Sequence, residues 1–193
     1  MAIDAGSQDE TNAGGRWRWA IRELPAAAVL GVLAVLALGP SALLVGALYI
    51  AAVTGELVRI DLASRCLPNR LVLPGYPVVL AGIAVHGTFT GTQTVPALLA
   101  GAAWFVVFLL LNLCGGMGMG DVKLAGVLGL CLGSIGAAQA VAGLTLGFLF
   151  GGVGGILVLM RRVGGTDTLI PFGPFLLGGF WVAVALTPAT STL

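Results

Sequence analysis

Between Leu24 and Gly55 the chain carries no charged side chain. Wound as one α-helix, that run would be about 48 Å long at 1.5 Å per residue, whereas the hydrocarbon core of a bilayer is about 30 Å thick. Gly39-Pro40 divides it, because proline lacks an amide donor and restricts the residue before it, so a helix stops there. The run therefore predicts a hairpin of two spans. The rest of the chain has the same character: of 193 residues, 58% are hydrophobic and 9% charged, with a mean hydropathy of +1.06. Soluble domains draw roughly a quarter of their residues from Asp, Glu, Lys and Arg. These values exclude an ordinary water-soluble domain and predict an all-α integral membrane protein, a polytopic bundle of about seven transmembrane helices.

The nine basic residues lie in clusters. Arg16, Arg18 and Arg22 precede the first apolar run; Arg59, Arg65 and Arg70 flank the second break; Lys123 follows a glycine-rich turn; Arg161 and Arg162 end a later run. The intervening breaks, at 39–41, 86–94 and 134–136, hold no Lys or Arg. Cytoplasmic loops collect Lys and Arg and exported loops lack them, so this alternation predicts both span count and orientation. Spans are expected near 20–38, 41–59, 71–87, 95–114, 121–135, 138–160 and 170–187. Every basic residue then lies on the cytoplasmic side of a cell inner membrane, with the N-terminus inside and the C-terminus outside. Residues 1–15 are small and polar without periodicity and read as a disordered cytoplasmic tail, leaving 16–193 as a single transmembrane domain. Trp17 and Trp19 beside the first arginines suit the headgroup layer. A signal peptide over the first run would need a small-residue cleavage site followed by a polar mature domain, and neither is found.

Cys66, Cys114 and Cys131 form no CxxC pair and no zinc spacing, so they read as unpaired small apolar side chains. The basic residues are too few, and too regularly placed as topology signals, for nucleic-acid binding. Gly143, Gly147, Gly151 and Gly155 recur every four residues, and Gly129 and Gly133 repeat that spacing. In lipid such small faces let helix backbones approach closely, so they predict a tightly packed bundle interior. The sequence carries no signal for oligomeric state.

Outside the tail the acidic residues are Glu23, Glu56, Asp61, Asp121 and Asp167. Glu23 lies among the first arginines as a solvated partner, and Asp167 reads as turn chemistry or a helix N-cap. Asp61 ends the second span and Asp121 begins the fifth, so the two reach the same membrane face. Two carboxyl groups within hydrogen-bond reach cannot both ionise cheaply, and the pair holds one proton between them. The ionised partner can then take a proton from water while the protonated partner gives one to a carbonyl oxygen, which is aspartic-protease chemistry. Peptide hydrolysis by this scheme needs no metal and no cofactor. The bland alternative for Asp121 is an N-cap, which Gly-Asp-Val-Lys-Leu also suits. Glu56 either lines the same cavity or pairs with Arg59.

Three segments around these aspartates resemble the prepilin peptidases, membrane aspartyl proteases of the GxGD type that process type IV pilins. Gly118-Met119-Gly120-Asp121 with Val122-Lys123-Leu124 is similar to the family's GxGD motif; Asp61-Leu62 followed by Leu67-Pro68-Asn69 is similar to its first catalytic segment; Ile170-Pro171-Phe172-Gly173-Pro174-Phe175 is similar to the entry to its last span. The resemblance runs from about residue 41 to 187 and implies Asp61 and Asp121 as the catalytic pair, with prepilin or pseudopilin precursors as partners. Gly118 and Gly120 would shape the turn; Lys123 would hold loop structure or a substrate carboxylate; Pro68 and Asn69 would start the third span; Pro171, Phe172 and Gly173 would shape the start of the seventh. Longer members of the family carry a cytoplasmic segment with paired CxxC motifs, and some also methylate the new N-terminus. This sequence shows no such segment, so the resemblance implies the short, protease-only form.

Two rival readings have different signatures. A small ion-coupled transporter would bind a proton or cation at the two carboxylates and show broken helices at the bilayer midplane. Another GxGD protease, of the presenilin type, would carry Pro-Ala-Leu near its C-terminus, which is not found. A purely structural subunit gives no reason for two isolated aspartates at one face. His86 falls at the exported end of the third span, where an interfacial role is expected.

Overall fold

The computed structural model describes residues 24–91, 94–115, 117–160 and 171–187. The expected tail, the Trp17 and Trp19 anchor, Glu23, Arg161, Arg162, Asp167 and Ile170 lie outside the described residues. The rest is helical: α1 (Leu24–Leu38), α2 (Leu44–Ser64), α3 (Asn69–Val72), α4 (Gly75–Thr90), α5 (Val95–Leu113), α6 (Met119–Ile135), α7 (Ala137–Met160) and α8 (Gly173–Ala185). Three stretches among these residues are long and apolar enough to cross a bilayer: Asn69–Thr90, Val95–Leu113 and Ala137–Leu157. The chain is a multi-pass, all-α membrane protein.

A helix occupies each expected span position. The first break falls where proline chemistry puts it: Gly39, at φ 59°, takes a left-handed turn and its N–H bonds the Val35 carbonyl at 2.9 Å. Most boundaries move by a few residues, and two of the shifts bear on the site. α2 runs past 59 to Ser64, carrying Asp61 inside the helix, and the third span opens with the short α3 before the turn into α4.

α6 is the central post. From Asp121 to Gly133 every residue except Lys123 is buried, and α3, α4, α5, α7 and α8 all pack against it. The glycine faces do what their spacing predicts. Gly129 lies against Trp104 and Gly133 against Ala97 and Ala100 of α5, while Gly143 and Gly147 of α7 meet Gly179 of α8 backbone to backbone. A Cβ on Gly179 would come within 2.7 Å of the Gly143 carbonyl oxygen. Phe108 and Phe180 fill the interior with Leu128, Leu132 and Leu176. Leu36, Leu99, Leu149 and Ile156 point outward, as lipid-facing positions do.

Candidate active site

Asp61 sits in the last turn of α2, only 2% exposed. The helix ends four residues later at Arg65, whose φ of 53° turns the chain and whose N–H bonds the Asp61 carbonyl at 2.8 Å. The side chain accepts a hydrogen bond at Oδ2 from the Gly173 N–H, at 3.0 Å. Gly173 is the first residue of α8, where backbone N–H groups have no partner within the helix and the positive end of the helix dipole favours an anion. Pro174, next along, has no N–H to offer, so the donor of this turn is Gly173. A Cβ at Gly173 would stand 2.8 Å from Asp61 Oδ2, and only glycine permits this approach. The third sequence segment therefore meets the first through a backbone amide.

Asp121 is the third residue of α6, 8% exposed, and its N–H bonds the Gly118 carbonyl at 3.1 Å. The N-cap is Gly118, in extended conformation, so the structure does not make Asp121 an N-cap. Its Oδ2 instead lies beside Gly118, where a Cβ would stand 3.4 Å from it. Oδ1 is buried and has no hydrogen-bond partner. Leu67, six residues after Asp61, lies against Gly120, and α8 packs on both α2 and α6, which brings the two buried carboxyl groups to the same end of the bundle.

The remaining residues of the first two segments interlock. Leu67, 6% exposed, packs on the α6 turn so closely that a Cβ on Gly120 would come within 2.8 Å of its own. Pro68 takes the N-cap position of α3, and Asn69 begins that helix. Asn69 Oδ1 accepts a hydrogen bond from Lys123 Nζ at 2.9 Å, and the Tyr76 hydroxyl donates to the Lys123 carbonyl at 2.9 Å. Phe172 packs against Phe108 and Phe148, with ring centroids 5.8 and 5.9 Å apart, which seats Pro171 and the start of α8. Glu56 is not brought to the aspartates and pairs with Arg59, one turn along α2. His86 lies at the far end of α4, beside a cavity lined by Pro40, Ser41 and Ser134.

Leu67 and Asn112 escape a reading for chemistry. Asn112 Nδ2 donates to the Met117 carbonyl at 2.7 Å and so braces the glycine turn before Asp121. Its signal was a lone amide at the end of an apolar run. Cys66, Cys114 and Cys131 are free thiols, the last of them buried. Among the described residues no three His, Cys, Asp or Glu side chains converge as metal ligands would.

The profile of the Type IV leader peptidase family matches residues 42–190. A prepilin leader peptidase/N-methyltransferase of Aeromonas salmonicida is 33% identical over 169 residues, covering 81% of this chain and 54% of that protein. Proteins of the same name from Xanthomonas campestris pv. campestris (33% over 144 residues; 71% of this chain, 48% of that protein) and Burkholderia pseudomallei (32% over 148 residues; 73% and 46%) are similarly related. This chain spans about half the length of these relatives. No solved structure matches it. The match takes in both aspartates, the glycine turn and the start of α8, and on its extent this chain belongs to the Type IV leader peptidase family.

Proposed function

We propose that this chain is an aspartic endopeptidase that cleaves leader peptides from type IV prepilin-like precursors, with Asp61 and Asp121 as its catalytic pair. The observation that carries the reading is the burial of two carboxyl groups, 60 residues apart in sequence, whose flanking segments meet where Leu67 lies against Gly120. Such a pair titrates as a unit, sharing a proton. The ionised carboxyl takes a proton from water as its oxygen attacks the scissile carbonyl carbon, and the protonated carboxyl gives its proton to the carbonyl oxygen. Collapse of the resulting diol breaks the C–N bond, and the leaving amine takes up a proton.

The supporting residues fall into two sets. Gly173, with Pro171 and Phe172 behind it, delivers a backbone donor to Asp61. Gly118 and Gly120 let the first turn of α6 lie against Leu67, while Pro68, Asn69 and Lys123 hold the two catalytic segments in register. Glu56, paired with Arg59, takes no part. On this reading residues 16–193 are a single transmembrane peptidase domain in a cell inner membrane. The N-terminus is cytoplasmic and the active site faces the cytoplasm, as the clustering of basic residues supports. The carrier reading has no observation in its favour, since both aspartates lie in terminal helical turns and not in mid-span breaks.

The test is the mass of a pilin-type precursor from the same genome after co-expression with the wild-type chain, Asp61→Asn or Asp121→Asn. Loss of the leader with wild type alone supports both assignments, and an added methyl group on the product would reveal a second activity. Cleavage retained by either variant removes that aspartate from the mechanism.

A further inference from the structure

The face of α6 turned away from Asp121 carries a second feature. Leu73, Tyr76, Gly101, Ala102, Phe105, Val106, Lys123, Gly126 and Leu130 enclose a groove of about 460 Å³ between α4, α5 and α6, within the roughly 300–1,000 Å³ of small-molecule sites. At 100° per residue, Lys123, Gly126 and Leu130 lie about 200°, 140° and 180° around the helix from Asp121. The groove is thus not the path by which a peptide reaches the aspartates. Its depth comes from close approaches. Gly126 lies under Tyr76 and Phe105, and Gly101 lies under Leu130. Ala102 and Val106 leave one wall exposed on the outer surface of the bundle.

Polarity runs along this groove in one direction. Lys123 is the fifth residue of α6, near the end of the helix that meets the membrane boundary, and Leu130 lies about 10 Å deeper at 1.5 Å per residue. α5 runs the opposite way, so Val106 is near the mouth and Gly101 near the floor beside Leu130. At the mouth the Lys123 ammonium bonds the neutral amide oxygen of Asn69, and among the described residues it pairs with no carboxylate. An ammonium has three donors, so further acceptors can be held. The lining beyond it is apolar apart from the Tyr76 hydroxyl, which is engaged by the Lys123 carbonyl.

We propose that this groove is a binding site for one anionic phospholipid of the surrounding bilayer, with an acyl chain along Val106, Ala102 and Leu130 and the headgroup phosphate on Lys123. A single cation at the rim of an apolar slot complements an amphiphile with an anionic head, and basic residues between membrane helices hold such headgroups. The site does not depend on the peptidase reading.

The experiment is native mass spectrometry of the detergent-purified, delipidated chain after exposure to phosphatidylglycerol or phosphatidylcholine of equal chain length. One phosphatidylglycerol should stay bound under activation that strips phosphatidylcholine. Lys123→Gln should lower that preference about five-fold, the worth of one interfacial cation, and Lys123→Arg should keep it. Ala102→Trp, which fills the exposed wall, should lose the retained lipid of either kind. Equal retention of the two lipids by wild type, undiminished phosphatidylglycerol on Ala102→Trp, or its displacement by a precursor's apolar segment would each overturn the proposal. Because the readout is lipid mass, an inactive chain that holds the lipid would sink the peptidase reading and leave this one standing.

Discussion

Gly173→Ala isolates the contact on which the geometry of Asp61 rests. The new methyl would lie 2.8 Å from Asp61 Oδ2 and 3.3 Å from its Cγ, where ordinary van der Waals contact begins at 3.4 Å. The shortfall of about 0.6 Å is met most easily by rotation of the short Asp61 side chain away from the amide, since α8 is pinned by its backbone contact with α7. The lost interaction is a hydrogen bond to a charged group, about 1.5–3 kcal/mol. If it orients Asp61 in the transition state, kcat/KM should fall roughly 10- to 150-fold. The helix is not weakened, because alanine favours helix over glycine by about 1 kcal/mol. Gly178→Ala in the same helix is the control: its methyl would stand 3.5 Å from Phe150, an ordinary contact, and activity should be unchanged. The assay is leader cleavage of a purified pilin-type precursor in proteoliposomes, with detergent unfolding of each variant alongside. A Gly173→Ala enzyme with wild-type kcat/KM would refute the reasoning, as would an equal loss in Gly178→Ala.

Gly120→Ala should be at least as damaging, because its methyl would meet the Leu67 backbone nitrogen at 3.2 Å and oxygen at 3.3 Å as well as its Cβ, and backbone cannot swing aside. Its cleavage rate relative to Gly173→Ala tests this ordering. A coupled carboxyl pair should give a bell-shaped pH profile of kcat/KM, falling at low pH as both groups are protonated and at high pH as both ionise; a single sigmoid would point to one working carboxyl. Trp181→Phe removes the indole N–H bond to Thr54 Oγ1, 3.1 Å long and buried, and should cost about 1 kcal/mol in an unfolding titration with little effect on kcat. The proposed orientation predicts that exposed Cys66 reacts with a membrane-impermeant maleimide in inverted vesicles and not in intact cells, while buried Cys131 reacts in neither. Labelling of Cys66 from outside would reverse the topology.

The helices were legible because a bilayer imposes an apolar length on sequence, and Gly39-Pro40 divides the one run that exceeds it. The aspartates were legible because carboxylates are rare here and motif strings surround them. The contact that holds Asp61 was less so. Its donor is the backbone of residue 173, 112 positions away, and an amide leaves no trace in composition. The sequence marked Gly173 only as part of a motif, and the reason for glycine there appears when Asp61 is seen against it. Asp121 was open to reading as an N-cap because cap and third residue share side-chain preferences, and helix register alone separates them. Glu56 was undecided between cavity and ion pair because Arg59 is within reach in any helix, and the pair formed.

The order in which the chain supplies the site has a consequence for its biogenesis. Synthesis runs from the N-terminus, so Asp61 and then Asp121 emerge well before Gly173, which arrives with α8, the last of the described helices. Until α8 is inserted and its glycine face has closed on α7, Asp61 has no amide to hold it. The nascent chain thus carries both carboxyl groups in an unassembled state while α7 is made, and their surroundings are completed only when α8 enters the membrane.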